Sequence, residues 1–314
     1  MKIQYPSYYP QFHCIASACK HTCCAGWEID IDEATLARYK CMPEGEREGI
    51  LSTISFDDIP HFALQGACER CPHLDDDGLC RIISQYGEAY TPNICRDHPR
   101  YRHILADGVE YGIGLACEEA CRVVLTTSEC TSMVSPDGQE AFAYTEEEKE
   151  LIDLRAAVIE RLQMRHLSIA ERFSLVCEQT GIIPDACAFK TALAWFDTLE
   201  YQSREWRDGL AAMREKGSSL LFRDKANAVC LEQLAIYFIN RHLLDALEDG
   251  YVEERIAFAL LSTYFVAQFA ATLSGDMSDF DRICEAARIY SAEIEYSTEN
   301  TDILFEKLGD ILWG

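Results

Sequence analysis

The sequence predicts a mainly α-helical protein, in which an irregular, cysteine-rich, metal-binding N-terminal region with a short β-hairpin precedes an α-helical bundle. Twelve of the sixteen cysteines lie in residues 1–130. The composition changes at the turn-rich segment 131–138. Beyond that segment, helix-start signals recur ahead of apolar residues at helical spacing. We therefore expect two domains, residues 1–130 and 131–314.

The N-terminal region offers two local signals of regular structure. Residues 29–39 fit a short helix opened by Asp32. Residues 100–115 fit a hairpin, because the pair Asp107–Gly108 between two β-rich runs favours a type I′ turn. Elsewhere in this region the cysteines, rather than apolar periodicity, are expected to organise the chain.

The C-terminal region carries a series of helix signals. Thr145 with Glu148 and Ser168 with Glu171 form capping-box patterns, and Gly181 marks the end of the second helix. Four further helices are predicted: one opened by Pro184–Asp185 and running through Trp195 and Tyr201, one over 226–248 that ends at Gly250, a buried one over 252–273, and one started by Ser278 with Asp281. A short last helix is expected over 301–312.

Charge and hydropathy exclude several classes of protein. The chain of 314 residues has 28 Lys and Arg against 53 Asp and Glu, a net charge of −25. No basic stripe could neutralise phosphates, so a nucleic-acid partner is not expected. The sequence contains no run of 18 apolar residues, so no membrane-spanning helix is predicted. The first residues do not form a secretory signal. We expect a cytoplasmic protein whose acidic surface suits solubility and can attract a lysine-rich partner.

The N-terminal cysteines form three groups that are too crowded for ordinary core thiols. They are the run from Cys14 to Cys24, the run from Cys68 to Cys80 with Cys95 downstream, and the pair Cys117 and Cys121. In a reducing cytosol such richness indicates metal ligation or redox chemistry. The adjacent pair Cys23–Cys24 fits a zinc ribbon poorly, and Cys71 is followed by proline, so the spacing favours an iron–sulfur cluster. Zinc, and disulfide or redox thiols, stay open as alternatives.

Eight cysteines are the candidate metal ligands, without a choice of which four bind: Cys14, Cys19, Cys23, Cys24, Cys71, Cys80, Cys95 and Cys117. Four others in this region are more isolated or redundant: Cys41, Cys68, Cys121 and Cys130. The four cysteines beyond residue 131 lie singly in apolar helical patterns, where cysteine is usually a small buried hydrophobe: Cys177, Cys187, Cys230 and Cys284. Histidines such as His73 and His98 are expected at the surface or behind the ligands.

Motifs of other chemistry are absent from the sequence. It has no glycine-rich dinucleotide or P-loop pattern, no GxSxG or HExxH, and no CxxxCxxC triplet of radical S-adenosylmethionine enzymes. The sequence therefore identifies neither a catalytic residue nor a methyl-donor or other cofactor-binding loop.

The cysteine motifs resemble those of the flagellin lysine-N-methylase family, part of a wider set of cysteine-cluster proteins described as zinc- or iron-chelating. The resemblance rests on FHCIASACKHTCCAGWEIDID, CPHLDDDGLCRI and ICRDHPR, on the hairpin that leads to Cys117, and on the helix EQLAIYFINRHLL. In place of the family's Cys-Pro-Glu run, the chain has Cys117-Glu118-Glu119, and Cys121 is an extra cysteine that could substitute.

The resemblance implies methyl transfer to lysine amines of flagellin, with S-adenosylmethionine as donor and a 4Fe-4S cluster as cofactor. By motif match, the eight candidate ligands carry the family's cysteines. Two other functions stay open: a non-catalytic zinc- or iron-chelating module, such as a metal carrier or structural site, and a thiol redox sensor. The missing donor motif is the sequence argument for the chelating module.

Overall fold

The computed structural model describes residues 1–182, 186–201, 203–216 and 221–313, and they group into two compact units. The cysteine-rich unit comprises residues 13–100. The helical unit comprises residues 1–12 and the described residues from 101 onward. The chain is mainly α-helical with a small sheet, as predicted. The units divide at residues 12 and 100, so residues 101–130 group with the helices and not with the other N-terminal cysteines.

Six strands are short and lie mostly toward the N-terminal side of the chain. They are β1 (Lys2–Pro6), β2 (Ile54–Ser55), β3 (His61–Phe62), β4 (Arg100–Leu105), β5 (Gly108–Ile113) and β6 (Met133–Val134). The helices of residues 13–125 are α1 (Glu33–Lys40), α2 (Glu44–Leu51), α3 (Arg81–Tyr86), α4 (Asn93–Asp97) and α5 (Glu118–Leu125).

Nine further helices follow in the described residues, and all but the four-residue α11 are longer than those before them. They are α6 (Glu146–Leu162), α7 (Ile169–Thr180), α8 (Ala186–Trp195), α9 (Arg204–Lys216), α10 (Ala228–His242), α11 (Ala246–Asp249), α12 (Val252–Ala270), α13 (Asp279–Tyr290) and α14 (Thr298–Trp313). None of the helices in the described ranges is both long and apolar enough to cross a membrane.

The helix predicted near residue 30 in the cysteine-rich unit begins later than expected. Asp32 is its N-cap and accepts a hydrogen bond from the Thr35 backbone N–H at 3.0 Å, so α1 starts at Glu33. The preceding residues are extended, because the Ile31 N–H donates to the Pro60 carbonyl at 2.7 Å. The predicted cap is confirmed, while the helical assignment of residues 29–32 is wrong.

A small apolar core fills the cysteine-rich unit. It consists of Ile29, Ile31, Tyr39, Met42, Ile50, Ile54, Phe62, Cys71, Leu74 and Ile82, all buried. Three further cysteines, Cys24, Cys80 and Cys95, are half-buried and pack against the same core. Ten residues bury little apolar surface for a segment of this length, which is typical of small units that need a second source of stability.

The sheet of the helical unit has the strand order β4-β5-β1-β6. The predicted hairpin is confirmed as β4 and β5. Its turn is at Ala106–Asp107, and neither these residues nor Gly108 has a positive φ, so the predicted type I′ turn at Asp107–Gly108 is wrong. Strand β1 is parallel to β5, with Ile3 opposite Val109, and antiparallel to β6. The sequence analysis predicted neither β1 nor β6, because each pairs with residues more than 100 positions away.

Helix boundaries in the helical unit follow the predicted caps closely. Both capping boxes form, at Thr145 for α6 and at Ser168 for α7, and Gly181 ends α7 at a φ of 74°. Ser278 caps α13 as predicted. Gly250 likewise follows α11 at a φ of 80°.

Four helix predictions need correction. Pro184–Asp185 lie outside the described residues, and α8 ends at Trp195, so its predicted continuation to Tyr201 is wrong. The helix predicted over 226–248 is divided into α10 and α11 by a 3-10 turn at Leu243–Asp245. Helix α12 ends three residues earlier than predicted, and α14 begins three residues earlier.

The core of the helical unit is centred on α10 and α12. These helices pack on each other, and α12 also packs on α13 and α14. Aromatic rings fill the space between them, with Phe196 and Phe265 centroids 4.1 Å apart. Cys177 and Cys230 are buried in this unit and Cys284 is half-buried, as predicted for core cysteines, while the side chain of Cys187 lies outside the described residues.

Candidate metal centre

Two loops pair to bring Cys24 beside Cys71. The Cys71 N–H donates to the Cys24 carbonyl at 2.8 Å, and Ala25 forms an antiparallel bridge with Arg70. Gly26 continues the first loop with a φ of +81°, a conformation that glycine adopts without strain. The small residues after Cys24 thus let the backbone turn sharply and run back along the second loop.

A tight turn then returns the chain to Cys80. The Asp75 side chain accepts hydrogen bonds from the N–H groups of Asp77 and Leu79, and Leu74 forms a bridge with Cys80. This aspartate-rich segment is a turn, as its sequence indicates. Cys80 is the N-cap residue of α3, where free N–H groups favour negative charge on a nearby sulfur.

Cys95 reaches the same core from α4. The helix is tied to α1 because the Asn93 N–H donates to Asp32 Oδ2 at 2.9 Å. Tyr39, on α1, is fully buried, and its hydroxyl donates to the Tyr90 carbonyl at 2.7 Å. The sequence analysis did not single out Tyr39, since a tyrosine at an inward helical position has no local feature that separates it from an ordinary core residue.

Four of the eight candidate ligands form one mutually interacting thiol group, which we call the tetrathiol group: Cys24, Cys71, Cys80 and Cys95. All six pairs within it are close enough for their charges to influence one another. The buried ring of Tyr39 interacts with Cys95, Cys80 and Cys71. No disulfide joins any of the fifteen cysteines whose side chains the structure describes.

The pKa values of the four thiols in the tetrathiol group differ widely. A hydrogen bond with the Cys23 thiol lowers the pKa of Cys24 to about 7, assisted by Thr22 and Arg70 against the effect of burial. Burial raises the pKa of Cys71 to about 11 and that of Cys95 to about 12, and the nearby Cys24 charge adds to both. Burial and Cys24 also raise the pKa of Cys80. One thiolate at Cys24 therefore opposes ionisation of its three neighbours.

The donor chemistry of this group fits a thiophilic metal or cluster. A cation stabilises several thiolates at once and opposes the effects of burial and of the Cys24 charge, which raise the pKa values of Cys71, Cys80 and Cys95. Across the described ranges, however, no group of three or more His, Cys, Asp or Glu side chains has an arrangement that could hold a metal ion. The residues supply four thiols from four chain segments, and ligation requires their sulfurs to move closer together.

The other four predicted ligands are not part of the tetrathiol group, and each has different surroundings. Cys14 is exposed and its sulfur accepts a hydrogen bond from the Ala16 N–H at 3.4 Å. Cys19 is half-buried at the end of a 3-10 turn, and Cys23 is exposed and contacts Cys24. Cys117 belongs to the helical unit, where it is the N-cap residue of α5. The set of eight ligands stays a prediction.

Two histidines of the cysteine-rich unit occupy structural positions. The ring of His73 packs edge-on against Phe62 with centroids 4.8 Å apart, and its Nε2 lies 2.9 Å from Thr53 Oγ1. Burial, and then the charge of Arg81, lower the pKa of His73 to about 4. The ring of His98 stacks on Trp27 at 6.1 Å, and burial lowers its pKa to about 4 as well. Both rings are neutral near pH 7.

A second group of thiols lies in the helical unit, on helices α5, α10 and α13. The Cys121 Sγ–H donates to the Cys284 carbonyl at 3.2 Å, and the charges of Cys284 and Cys230 raise the already high pKa of buried Cys121. Burial also raises the pKa of Cys230. Cys230 and Cys284 pack in the apolar core, as the sequence analysis expected. Cys121, which the sequence analysis treated as a redundant cysteine that could substitute for a ligand, is buried in the same core.

Comparison with known proteins gives distant relatives. The chain is 29% identical over 138 residues to the flagellar biosynthetic protein FliU of Salmonella muenchen, a match that covers 41% of this chain and 79% of the relative. It is equally similar to the lysine-N-methylases of Salmonella typhimurium and Salmonella choleraesuis, where the match covers 33% of each relative. No family model and no solved structure matches the chain.

These matches confirm the resemblance to lysine-N-methylases that the cysteine motifs indicate, at a distant level of identity. The matched segment spans about a third of the length of the lysine-N-methylases. The name of the first relative refers to flagellar biosynthesis, and the names of the other two refer to lysine methylation.

Proposed function

We propose that this chain is a metal–thiolate protein that takes part in protein-lysine N-methylation, with Cys24, Cys71, Cys80 and Cys95 as the ligands of a 4Fe-4S cluster. The observation that carries the proposal is the tetrathiol group itself. Four thiols from four chain segments converge on one small core, although the charge of Cys24 disfavours ionisation of the other three. Such an arrangement is costly for structure alone and is typical of ligands that a metal later brings together.

The ligand count supports one four-thiolate site rather than two. An iron–sulfur cluster binds through four thiolates at varied spacings, and it supplies electron-transfer chemistry when bound. A zinc ion is the second candidate, because it also takes four thiolates in a closed tetrahedron. The neighbouring thiol of Cys23 supports the site by holding Cys24 as the thiolate that meets an incoming metal first.

The methylation part of the proposal rests on the names of the relatives. Protein-bound lysine is the proposed acceptor, flagellin the proposed substrate protein and S-adenosylmethionine the proposed donor. In this transfer the neutral lysine amine forms a bond to the methyl carbon, the carbon–sulfur bond of the donor breaks, and the amine proton leaves to a base. The net charge of −25 favours encounter with a lysine-bearing protein.

Metal content tests the first part of the proposal. The full chain is purified without oxygen and assayed for iron, acid-labile sulfide, zinc and visible absorption. We expect iron, sulfide and a broad visible band, all lost in the single variants Cys24→Ser, Cys71→Ser, Cys80→Ser and Cys95→Ser. Cys41→Ser and Cys68→Ser are matched controls, because both cysteines are exposed in the same unit and lie outside the group. Colourless protein with zinc would overturn the iron assignment, and metal that survives all four substitutions would overturn the site.

Methyl transfer is tested separately with labelled S-adenosylmethionine and purified flagellin, with and without oxygen. We expect label on flagellin lysines and loss of transfer in the four cysteine variants but not in Cys41→Ser. Absence of transfer under both conditions, from protein that holds its metal, would reject the methylase and leave the metal site standing. Transfer that continues in metal-free variants would separate catalysis from the metal.

A further inference from the structure

A groove on the surface of the cysteine-rich unit runs between α1 and the segment 58–60 that leads into β3. Its volume is about 670 Å³, within the range of pockets that bind small molecules or side chains. Three apolar side chains line it, Ile31, Leu36 and Ile59. Ile59 is 56% exposed although it is an isoleucine, so part of the apolar lining is open to water.

Carboxylates form the polar part of the groove. Asp32, Glu33 and Asp58 line it together with one cationic residue, Lys40. Burial opposes ionisation of Asp32, but hydrogen bonds from the Asn93 and Thr35 N–H groups lower its pKa below the usual range, so it is charged near neutral pH. Glu33 and Asp58 are exposed at the sides. An apolar floor with excess negative charge suits a ligand that has an apolar stem and a cationic end.

The groove is joined to the proposed metal site through α1. One face of this helix lines the groove with Glu33 and Leu36. Leu36 also packs against the core that contains Tyr39, one turn further along the helix. The buried ring of Tyr39 interacts with the thiols of Cys71, Cys80 and Cys95. Asp32 links the start of the same helix to α4, the helix that carries Cys95. A ligand in the groove is therefore held by an element that also shapes the tetrathiol group.

We propose that this groove docks lysine side chains of the substrate protein, with the stem on Leu36 and Ile59 and the ammonium between Glu33 and Asp58. The inference rests on the proposed function and adds the place where the substrate is captured. Carboxylates favour the protonated amine, whereas methyl transfer requires a neutral one. The groove therefore captures charged lysines, and the chemistry takes place away from these carboxylates.

Peptide binding without a methyl donor tests the groove. The ligand is a fluorescein-labelled peptide of glycine and serine with two lysines, and its control has norleucine in place of lysine, which keeps the stem and removes the charge. Binding to the full chain is followed by fluorescence anisotropy. We expect the double variant Glu33→Lys/Asp58→Lys to weaken lysine-peptide binding by roughly tenfold at low salt, and by less at high salt. Ile59→Ser should weaken binding of both peptides.

Glu48→Lys/Asp76→Lys is the matched control, because both residues are exposed carboxylates of the same unit outside the groove and the change in net charge is identical. We expect it to bind the lysine peptide within about twofold of the unaltered chain. Equal loss in both double variants would show a general charge effect and overturn the docking site, as would unchanged binding by Glu33→Lys/Asp58→Lys.

The outcomes separate docking from the proposed function. A chain that binds the lysine peptide through the groove but transfers no methyl group would reject the methylase and keep the groove. A chain that methylates flagellin equally well with and without Glu33→Lys/Asp58→Lys would reject the groove and keep the methylase. Thermal unfolding of each variant shows whether a lost signal comes from lost structure.

Discussion

Charged and ionisable groups are handled in opposite ways by the two units. In the helical unit, buried Glu110 is paired with buried Arg155, and fully buried Glu232 accepts hydrogen bonds from Arg165 and Arg172. Each of these carboxylates meets a cation that the chain itself supplies. In the cysteine-rich unit, burial and the nearby charge of Cys24 raise the pKa values of Cys71, Cys80 and Cys95.

The contrast shows where the chain is complete and where it needs an added group. A buried charge with its counter-charge in place stabilises a fixed arrangement and calls for no ligand. One thiolate and three thiols around one core can all be ionised when a cation from outside the chain binds them. The apolar core around these thiols has only ten buried residues, so its burial contributes little free energy to hold the thiols together. The cysteine-rich unit is therefore expected to need an added group for stability.

Metal removal is expected to have the largest effect, confined to one unit. A strong chelator should increase amide hydrogen exchange across residues 13–100 and leave α10 and α12 protected, because metal–thiolate binding contributes on the order of 10 kcal/mol of folding free energy. Hydrogen-exchange mass spectrometry of the full chain measures both units at once. Cys71→Ser should already show the exchange of the chelated protein and respond no further. Unchanged amide hydrogen exchange in both units after metal removal would contradict the inference that the cysteine-rich unit needs a metal for its stability.

Loss of one internal counter-charge comes next in size. Arg155→Met leaves the Glu110 carboxylate, 1% exposed, with Gln4 Nε2 at 2.9 Å but without its cation. We expect the free energy of unfolding, measured by urea, to fall by about 3–5 kcal/mol. The added change Glu110→Leu should recover much of that loss, because no buried charge is then left unpaired.

Arg204→Met is the control for that prediction, since Arg204 pairs with Asp208 and the two side chains are 88% and 67% exposed. An exposed pair of this kind contributes less than about 1 kcal/mol. If Arg155→Met and Arg204→Met lower the free energy of unfolding equally, the helical unit does not depend on its buried pairs.

The sequence predicted the local features of both units and missed the contacts that join distant segments. Thr145, Ser168 and Asp32 were identified as caps because a cap is defined within four residues. The thiols of Cys24 and Cys71 meet because Ala25 pairs with Arg70, a contact across 45 positions that leaves no local pattern. The eight candidate ligands could therefore be found from the sequence, but their grouping could not.

Acid is expected to weaken the helical unit through a smaller effect. His242 is buried with its Nε2 2.8 Å from Glu295 Oε1, and burial lowers the pKa of His242 despite this carboxylate. Glu295 is also buried, but hydrogen bonding to His242 and the charge of Arg241 lower its pKa below the usual range. At a given acidic pH, His242 and Glu295 therefore bind more protons in the unfolded chain than in the folded chain. The free energy of unfolding falls as pH drops.

For His242 the loss begins near the unfolded pKa of about 6.5 and is at most about 1.4 kcal/mol per pH unit. Urea unfolding between pH 7.5 and 5 measures it. The variant His242→Gln should show a flatter pH dependence across this window, although its stability at pH 7.5 is lower. Stability that rises on acidification would contradict the assigned direction of the shift.

Helix caps give the smallest and most local comparison between the units. In the helical unit, Thr145 Oγ1 accepts a hydrogen bond from the Glu148 N–H at 3.2 Å, and Thr145→Ala should lower the free energy of unfolding by about 1 kcal/mol. Metal content should not change, and Thr145→Ser should restore most of the stability.

In the cysteine-rich unit, Asp32 both caps α1 and holds the α4 backbone at Asn93. Asp32→Ala should therefore weaken metal retention as well as stability, because α4 carries Cys95, and metal analysis of both variants distinguishes a cap that serves one helix from one that also positions a ligand.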